Sequence, residues 1–300
     1  MPEIVRSSIL KAYTMATEVK KLDLPVNPLS HLCITVSGFN VTDEATLAEI
    51  LAFINKITIT HRGKTIIGLE SEDLAALMMY LFWRSPMLTQ NVSTDNATRQ
   101  LTLIVPFGRT LYNPQECFPA TKKGELTLTL DTTVPSASLD NAVIDIETIE
   151  LPDANPTQHL KCELYNVAAP SGTGDNDVAL PIGNLIDGII FYSTTFPGTS
   201  SHAYGINEVT LRVNNKEHTL GQCKTASLIG EMATQLVTNP RDIAAFGQVF
   251  PKNYFWMRYN ADYMDTFLFN SEGLSSYVAR LNMQVAEVAK VIPVQLEKVA

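Results

Sequence analysis

The sequence predicts a mainly β fold made of two similar domains in tandem, and three observations support this. Apolar and polar residues alternate with a period of two in several stretches, as in GELTLTLD (124–131). Helical periodicity is confined to a few short segments. The stretch INKITITHRGK (54–64) returns as INEVTLRVNNK (206–216), 152 residues later in a chain of 300, which is long enough for about two domains.

The composition limits the classes of protein that the chain can belong to. With 45% hydrophobic and 18% charged residues, it can bury a substantial core. A net charge of −9 argues against broad nucleic-acid binding, which needs a basic face. No secretory signal or transmembrane segment is expected. Four scattered cysteines form no metal-binding pair, and we interpret them as core residues of a reducing compartment: Cys33, Cys117, Cys162 and Cys223.

Alternation predicts strands around 126–131, 209–213 and 281–285. In NAVIDIETIEL (141–151) the alternation changes phase at Ile149, which predicts a bulge or a bend.

Three helices are expected, and no βαβ rhythm accompanies them. The first would run from a cap at Thr42 to about Ile54, with Asp43 and Glu44 in its first turn. The second would cover Ser71–Trp83 with Ser71 as its cap, and the third roughly Thr225–Val237.

The features around the two similar stretches come in the same order in both halves of the chain. PLSHL (28–32) corresponds to PIGNL (181–185), and the second and third helices correspond to each other. YNPQECFPATKKGELTLTLD (112–131) resembles YMDTFLFNSEGLSSYVARLNMQ (263–284). This order indicates an internal duplication, and a repeat of about 150 residues is too long for a solenoid unit.

The duplication suggests how the chain is divided. The proline-containing stretch LPDANPTQH (151–159) is the best linker candidate. We therefore expect an N-terminal arm (1–27), a first domain (28–152) and a second domain with a short C-terminal tail (153–300). Each domain has the length of an eight-stranded jelly roll with inserted loops, so the predicted fold is two tandem eight-stranded jelly-roll β-barrels with a few short helices.

Two tandem jelly rolls, each with a helix late in its strand order, resemble the double jelly-roll major capsid proteins of tailless icosahedral, often membrane-containing phages, adenovirus and related viruses. INKITITHRGKTIIGLESEDLAAL (54–77) and FPATKKGELTLTLD (118–131) carry the resemblance, together with their counterparts INEVTLRVNNK (206–216) and GLSSYVARLNMQ (273–284). It covers roughly residues 28–296.

The resemblance implies a structural viral protein that is not an enzyme and needs no cofactor. In that family three chains form a trimer, and six barrels give a pseudo-hexagonal capsomer that tiles a shell around a genome and commonly around a lipid bilayer. The implied partners are a homotrimer, neighbouring capsomers and minor capsid proteins. The implied location is the virion, and the host cytoplasm before assembly.

The first 21 residues are the candidate contact segment, because they carry a net charge of +2 in a chain of net −9. We hypothesise that this arm lies at the base of the shell and touches anionic headgroups of an internal membrane or a neighbouring capsomer. The alternative is an ordinary flexible or docked terminus. The candidate contact residues are Arg6, Lys11, Lys20 and Lys21.

Other motifs suggest chemistry only weakly. HRGKT (61–65) lacks the leading glycine of a P-loop, so we expect a hairpin turn at Arg62-Gly63, with Asn214-Asn215 as its counterpart. Asp175 and Asp177 could bind Ca²⁺ but lack the EF-hand spacing, and a solvated loop is expected instead.

The sequence leaves two further function classes open. The carboxylates of Asp145 and Glu147 share a strand face, as in a glycosidase, although a solvated face is expected there. The five histidines form no ligand motif, so neither catalytic nor metal-binding residues are predicted. The alternatives to a capsid protein are a carbohydrate-binding or spike-type protein with two β-sandwiches and a bicupin-like enzyme.

Overall fold

The computed structural model of the chain describes residues 3–41, 44–89, 95–134, 138–167, 173–197, 203–235 and 253–299. The described residues divide into two compact units. The first contains residues 3–161 and 298–299, and the second contains 162–235 and 253–297.

The first unit is built from two β-sheets and two helices. The elements are β1 (Val5–Thr14), β2 (Glu18–Asp23), β3 (Leu29–Asn40), α1 (Leu47–Leu51), β4 (Ile54–His61), β5 (Lys64–Leu69), α2 (Ser71–Phe82), β6 (Met87–Leu88), β7 (Thr98–Pro106), β8 (Leu126–Thr132), β9 (Leu139–Glu150) and β10 (Gln158–Glu163). The two sheets have the strand orders β1-β9-β3-β7-β6 and β10-β5-β4-β8-β2, with β10 at the boundary of the unit.

The second unit repeats this plan, with shorter strands in one of its two sheets. One sheet has the order β11-β19-β13-β16, with β17 paired to β13, and the other has the order β12-β18-β14-β15. The elements are β11 (Tyr165–Val167), β12 (Gly174–Ala179), β13 (Leu185–Ser193), β14 (Ile206–Val213), β15 (Lys216–Lys224), α3 (Thr225–Gln235), β16 (Tyr254–Arg258), β17 (Phe269–Asn270), β18 (Tyr277–Met283) and β19 (Ala289–Lys298).

Eight strands of one unit correspond one to one with eight strands of the other. The order β1-β9-β3-β7 corresponds to β11-β19-β13-β16, and β2-β8-β4-β5 corresponds to β12-β18-β14-β15. Successive strands thus cross between two four-stranded sets, except for the β4–β5 and β14–β15 hairpins, which stay within one set, and this order defines a jelly roll. The helices α2 and α3 occupy the same place, after the fifth of the eight strands. The predicted fold of two eight-stranded jelly rolls is therefore confirmed.

Individual hydrogen bonds repeat at the spacing that the sequence suggested. The amide of Arg62 donates to the carbonyl of Glu125 at 2.9 Å, and the amide of Asn214 donates to that of Ser276 at 3.0 Å. At the other end of the same strands, Thr133 donates to Phe53 and Gln284 donates to Gly205. Equivalent atoms are 151 or 152 residues apart in both pairs. These backbone contacts support the interpretation of a duplicated domain.

The repeated stretches are matching hairpins with two-residue turns. Arg62 and Gly63 have φ angles of 49° and 79°, and Asn214 and Asn215 have φ angles of 50° and 64°. Two successive positive φ angles are typical of a type I′ turn, whose twist matches that of the flanking strands. Equivalent apolar side chains of the two hairpins are fully buried, namely Ile57, Ile59, Val209 and Leu211.

Replacing Gly63 with alanine should lower the free energy of unfolding by about 1–2 kcal/mol, because a side chain is strained at this positive φ. No atom lies within 4 Å of the added Cβ, so backbone strain alone is tested. Gly230→Ala in α3 meets equally open space without a positive φ and is the matched control, expected to be neutral or slightly stabilising. Urea unfolding measures both changes, and a Gly63→Ala variant as stable as wild type would contradict the turn assignment.

The capping residues of the first two helices differ from those predicted. The first is only five residues long, and its cap is Thr46. The Thr46 Oγ1 accepts from the Glu49 amide, and the Glu49 carboxylate accepts from the Thr46 amide, which forms a capping box. The predicted cap Thr42 lies outside the described residues. α2 begins at Ser71 as predicted but is capped by Glu70, since the Ser71 hydroxyl donates to the carbonyl of Leu51 at 2.7 Å.

The segment expected to be an N-terminal arm forms the first two strands of the first jelly roll. β1 pairs with β9 and β2 pairs with β8. The alternation in β1 is broken by two register shifts, and Ala12 there has a φ of 44°, so the sequence shows no clean strand pattern.

The observed division also differs from the predicted one at its centre, because the first unit continues to residue 161 rather than 152. Among the described residues, no helix is long and apolar enough to cross a bilayer.

Candidate contact surfaces

The four N-terminal cations predicted as contact residues are divided between two sheets. Arg6 lies on β1 and is 3.4 Å from the Glu147 carboxylate. Lys20 lies on β2, where its Nζ is 3.5 Å from the centre of the Tyr13 ring. Lys11 and Lys21 are exposed on β1 and β2. The predicted contact residues therefore lie on two strands that belong to different sheets.

Three loops of the first unit meet at one end of its jelly roll, and we call this surface the first loop end (residues 24–28, 61–64 and 107–125). The Thr121 amide donates to the carbonyl of Val26 at 2.8 Å. The turn of the β4–β5 hairpin is also fixed to the third loop, because Arg62 donates two side-chain hydrogen bonds to Glu125, at 3.1 and 3.2 Å. The Lys122 amide, together with Arg62, holds the pKa of the Glu125 carboxyl below its usual value.

The first loop end has a net charge of +3, from five cationic and two anionic residues. One of its ion pairs is internal, since the Arg109 guanidinium is 2.8 Å from the buried Glu116 carboxylate. The remaining excess of positive charge comes from the exposed side chains of Lys64, Lys122 and Lys123.

The corresponding loops of the second unit form the second loop end (residues 180–184, 213–216 and 259–276). Here the Asn214 Oδ1 accepts hydrogen bonds from the amide and the hydroxyl of Ser275, both at 2.9 Å. The Gly183 amide donates to the carbonyl of Ser271 at 3.2 Å. One cation and three carboxylates give this end a net charge of −2; they are Lys216, Asp262, Asp265 and Glu272.

Both loop ends expose apolar side chains at equivalent positions. In the structure Leu-Pro-Val (24–26) corresponds to Leu-Pro-Ile (180–182), so the predicted match of PLSHL (28–32) with PIGNL (181–185) is wrong. The Leu24 amide donates to the first residue of β8, and the Leu180 amide donates to the first residue of β18. The last side chains of the two stretches, Val26 and Ile182, are 43% and 46% exposed. Tyr112 and Tyr263 both have positive φ angles and are also exposed. The second loop end adds two exposed side chains, Met264 and Phe267.

The apolar tip of the second loop end is held in place by polar contacts beneath it. The Asn260 amide nitrogen Nδ2 donates to Asp187 and to Asp265, both at 3.1 Å. The Asp265 amide in turn donates to the Asn260 Oδ1. Arg258 lies 5.0 Å from the centre of the Tyr263 ring. The exposed apolar residues thus sit on an ordered loop, and such side chains are common at sites of protein contact.

The carboxylates considered for catalysis or metal binding have structural partners. Asp145 accepts a hydrogen bond from the Ala12 amide at 2.7 Å, and Glu147 pairs with Arg6. Asp177 accepts two hydrogen bonds from Arg280, at 2.7 and 2.8 Å, which lower the pKa of its carboxyl. Within the described ranges, no three His, Cys, Asp or Glu side chains are grouped as metal ligands. Asp175 and Asp177 lie on β12 and not in the expected loop. Residues 171–172 of the candidate Ca²⁺ stretch SGTGDND (171–177) lie outside the described ranges.

The four cysteines are free thiols, two of them buried. Burial raises the pKa of Cys117 to about 11, which disfavours the reactive thiolate.

Among the histidines, burial lowers the pKa of His31 to about 4, so its ring is neutral near pH 7. His202 lies outside the described residues.

The fold was compared with solved structures. The major capsid protein of Sulfolobus turreted icosahedral virus is 14% identical, with a TM-score of 0.72 over 98% of this chain and 96% of that one. The major capsid protein of bacteriophage PM2 is 10% identical, with a TM-score of 0.65 over 99% and 98%. A capsid structure of the virus PBCV-1 is 9% identical, with a TM-score of 0.59 over 99% and 94%.

No sequence-family profile and no curated protein matches the chain. The likeness therefore rests on structure, and it extends over nearly the full length of both partners in each comparison. It includes both jelly rolls and agrees with the one-to-one strand correspondence found within the chain. The chain has the double jelly-roll fold of viral major capsid proteins.

Proposed function

We propose that the chain is the major capsid subunit of an icosahedral virus. The observation that carries this proposal is the repetition of a complete eight-stranded jelly roll within one chain, at the length of solved major capsid proteins. A shell subunit needs extensive faces for neighbouring subunits and no catalytic centre. The partners found for the carboxylates, and the buried thiol of Cys117, support a structural role rather than an enzymatic one.

In this proposal three copies form a capsomer, and their six jelly rolls approximate a hexagon. Capsomers then contact one another and minor capsid proteins in the virion, after the subunit has been made in the host cytoplasm. The duplicated domain supports this arrangement, because six similar barrels can occupy six similar positions around a threefold axis.

The N-terminal strands remain a candidate for contact with an internal membrane. Arg6 and Lys20 have partners within the first unit, so the exposed Lys11 and Lys21 are the residues proposed to meet anionic headgroups. Vesicles containing phosphatidylserine should retain the wild-type protein better than the Lys11→Glu/Lys21→Glu variant. Equal retention of the two proteins would contradict this contact.

In solution the purified protein should be a trimer of about 99 kDa, three times the 33.0 kDa of one chain. Multi-angle light scattering measures the mass, and negative-stain images should show particles with hexagonal outlines. A stable monomer of 33.0 kDa at micromolar concentration would count strongly against the proposed function.

A further inference from the structure

The two loop ends differ in net charge but share equivalent loops and equivalent exposed apolar side chains. They are built from equivalent loops, and both expose an aliphatic side chain after a Leu-Pro pair and a tyrosine with positive φ. Their net charges, however, are +3 and −2. The turns before β8 and β18 show the change most clearly: Lys123 precedes Gly124, and Glu272 precedes Gly273, at φ angles of 79° and 77°.

We infer that the first loop end of one copy binds the second loop end of a neighbouring copy within the trimer. This inference rests on the proposed function. In a closed ring of three identical chains, each contact joins two different surfaces of the chain, so those surfaces must complement each other. An apolar surface with excess positive charge and an apolar surface with excess negative charge meet this requirement.

Charge also argues against a lipid surface as the occupant of the second loop end. Its exposed apolar side chains, Met264 and Phe267, lie among Asp262, Asp265 and Glu272. Anionic headgroups would be repelled by these carboxylates. A protein surface with exposed lysines is attracted instead, and the first loop end supplies Lys64, Lys122 and Lys123.

Charge reversal on each surface, separately and together, tests the inference. Lys64→Glu/Lys122→Glu/Lys123→Glu changes the first loop end from +3 to −3, and Asp265→Lys/Glu272→Lys changes the second from −2 to +2. Either set alone leaves two surfaces of like charge. Both sets in one chain restore opposite charges with the polarity exchanged.

Trimer formation should be measured by sedimentation across a range of concentrations in about 50 mM salt. Each singly reversed variant should need roughly tenfold more protein for half-maximal trimer, as expected for several exposed ion pairs. The combined variant should return close to the wild-type concentration. The differences should shrink in about 0.5 M salt, where charges are more strongly screened.

Lys56→Glu/Arg84→Glu/Lys298→Glu is the matched control for the first set, because it lowers the net charge by the same amount at exposed cations outside both loop ends. It should trimerise like wild type. Thermal unfolding of every variant shows whether it is folded. Trimerisation that is equal in all variants, or no recovery in the combined variant, would overturn this inference and leave the proposed function standing. A monomeric wild-type protein would overturn both.

Discussion

A protein that lacks residues 2–23 should not fold into a stable first jelly roll. The deletion removes β1 and β2, so β9 and β8 each lose a paired neighbour. It also uncovers the Leu130 and Ile144 side chains, which are packed beside Leu10 and Tyr13. Each buried apolar side chain contributes about 1.5–3 kcal/mol, so the loss of several is comparable to the margin of about 5–15 kcal/mol that stabilises a domain.

Soluble yield, circular dichroism melting and limited proteolysis measure this effect. The full-length Lys11→Glu/Lys21→Glu variant is the control, because it alters the exposed charges of the same two strands and keeps their backbone. It should melt like wild type. A truncated protein with the wild-type melting curve would show that the first two strands are dispensable.

Replacing Arg99 with methionine should lower the free energy of unfolding by about 3–5 kcal/mol. Arg99 lies on β7 with only 2% of its side chain exposed, and it pairs with the Glu44 carboxylate. It also donates hydrogen bonds to the carbonyl oxygens of Ala45 and Thr89. Methionine fills similar space but leaves these acceptors, including a mostly buried carboxylate, without their donor.

The exposed pair of Arg62 and Glu125 offers a matched comparison. The Arg62 side chain is 64% exposed, so Arg62→Met should cost less than about 1 kcal/mol in urea unfolding. The double variant Arg99→Met/Glu44→Gln should recover part of the loss, because it removes the uncompensated charge. Equal costs for Arg99→Met and Arg62→Met would contradict the role of burial.

Alternation revealed the strands that have one buried and one polar face. β8 and β14 belong to this class, and their buried isoleucine, leucine and valine side chains could be predicted by position. β19 does not, because eight consecutive residues from Ala289 are buried and no polar face interrupts them. β1 was missed for the opposite reason, since its bulges displace the polar residues from a regular period.

The contact surfaces could be predicted less completely than the fold. Net positive charge in the first 21 residues was visible, but the strands place those cations on two sheets. Each loop end combines three segments that are far apart in sequence, so its net charge can be counted only when the structure shows which loops meet. Arg99 was also missed, although the alternation in TRQLTLIVP (98–106) places it on the same face as the buried Leu101 and Leu103.

The pairing of β1 with β9 has a consequence for the order of events during synthesis. Val5 pairs with Glu150, so β1 must wait for almost the last strand of its own unit before it can pair. The β4–β5 hairpin, whose partners His61 and Lys64 are three residues apart, can form at once. Contacts between distant residues form slowly. The nascent first unit should therefore carry unpaired strand edges until residue 150 has emerged, and it should be most prone to aggregation in this interval.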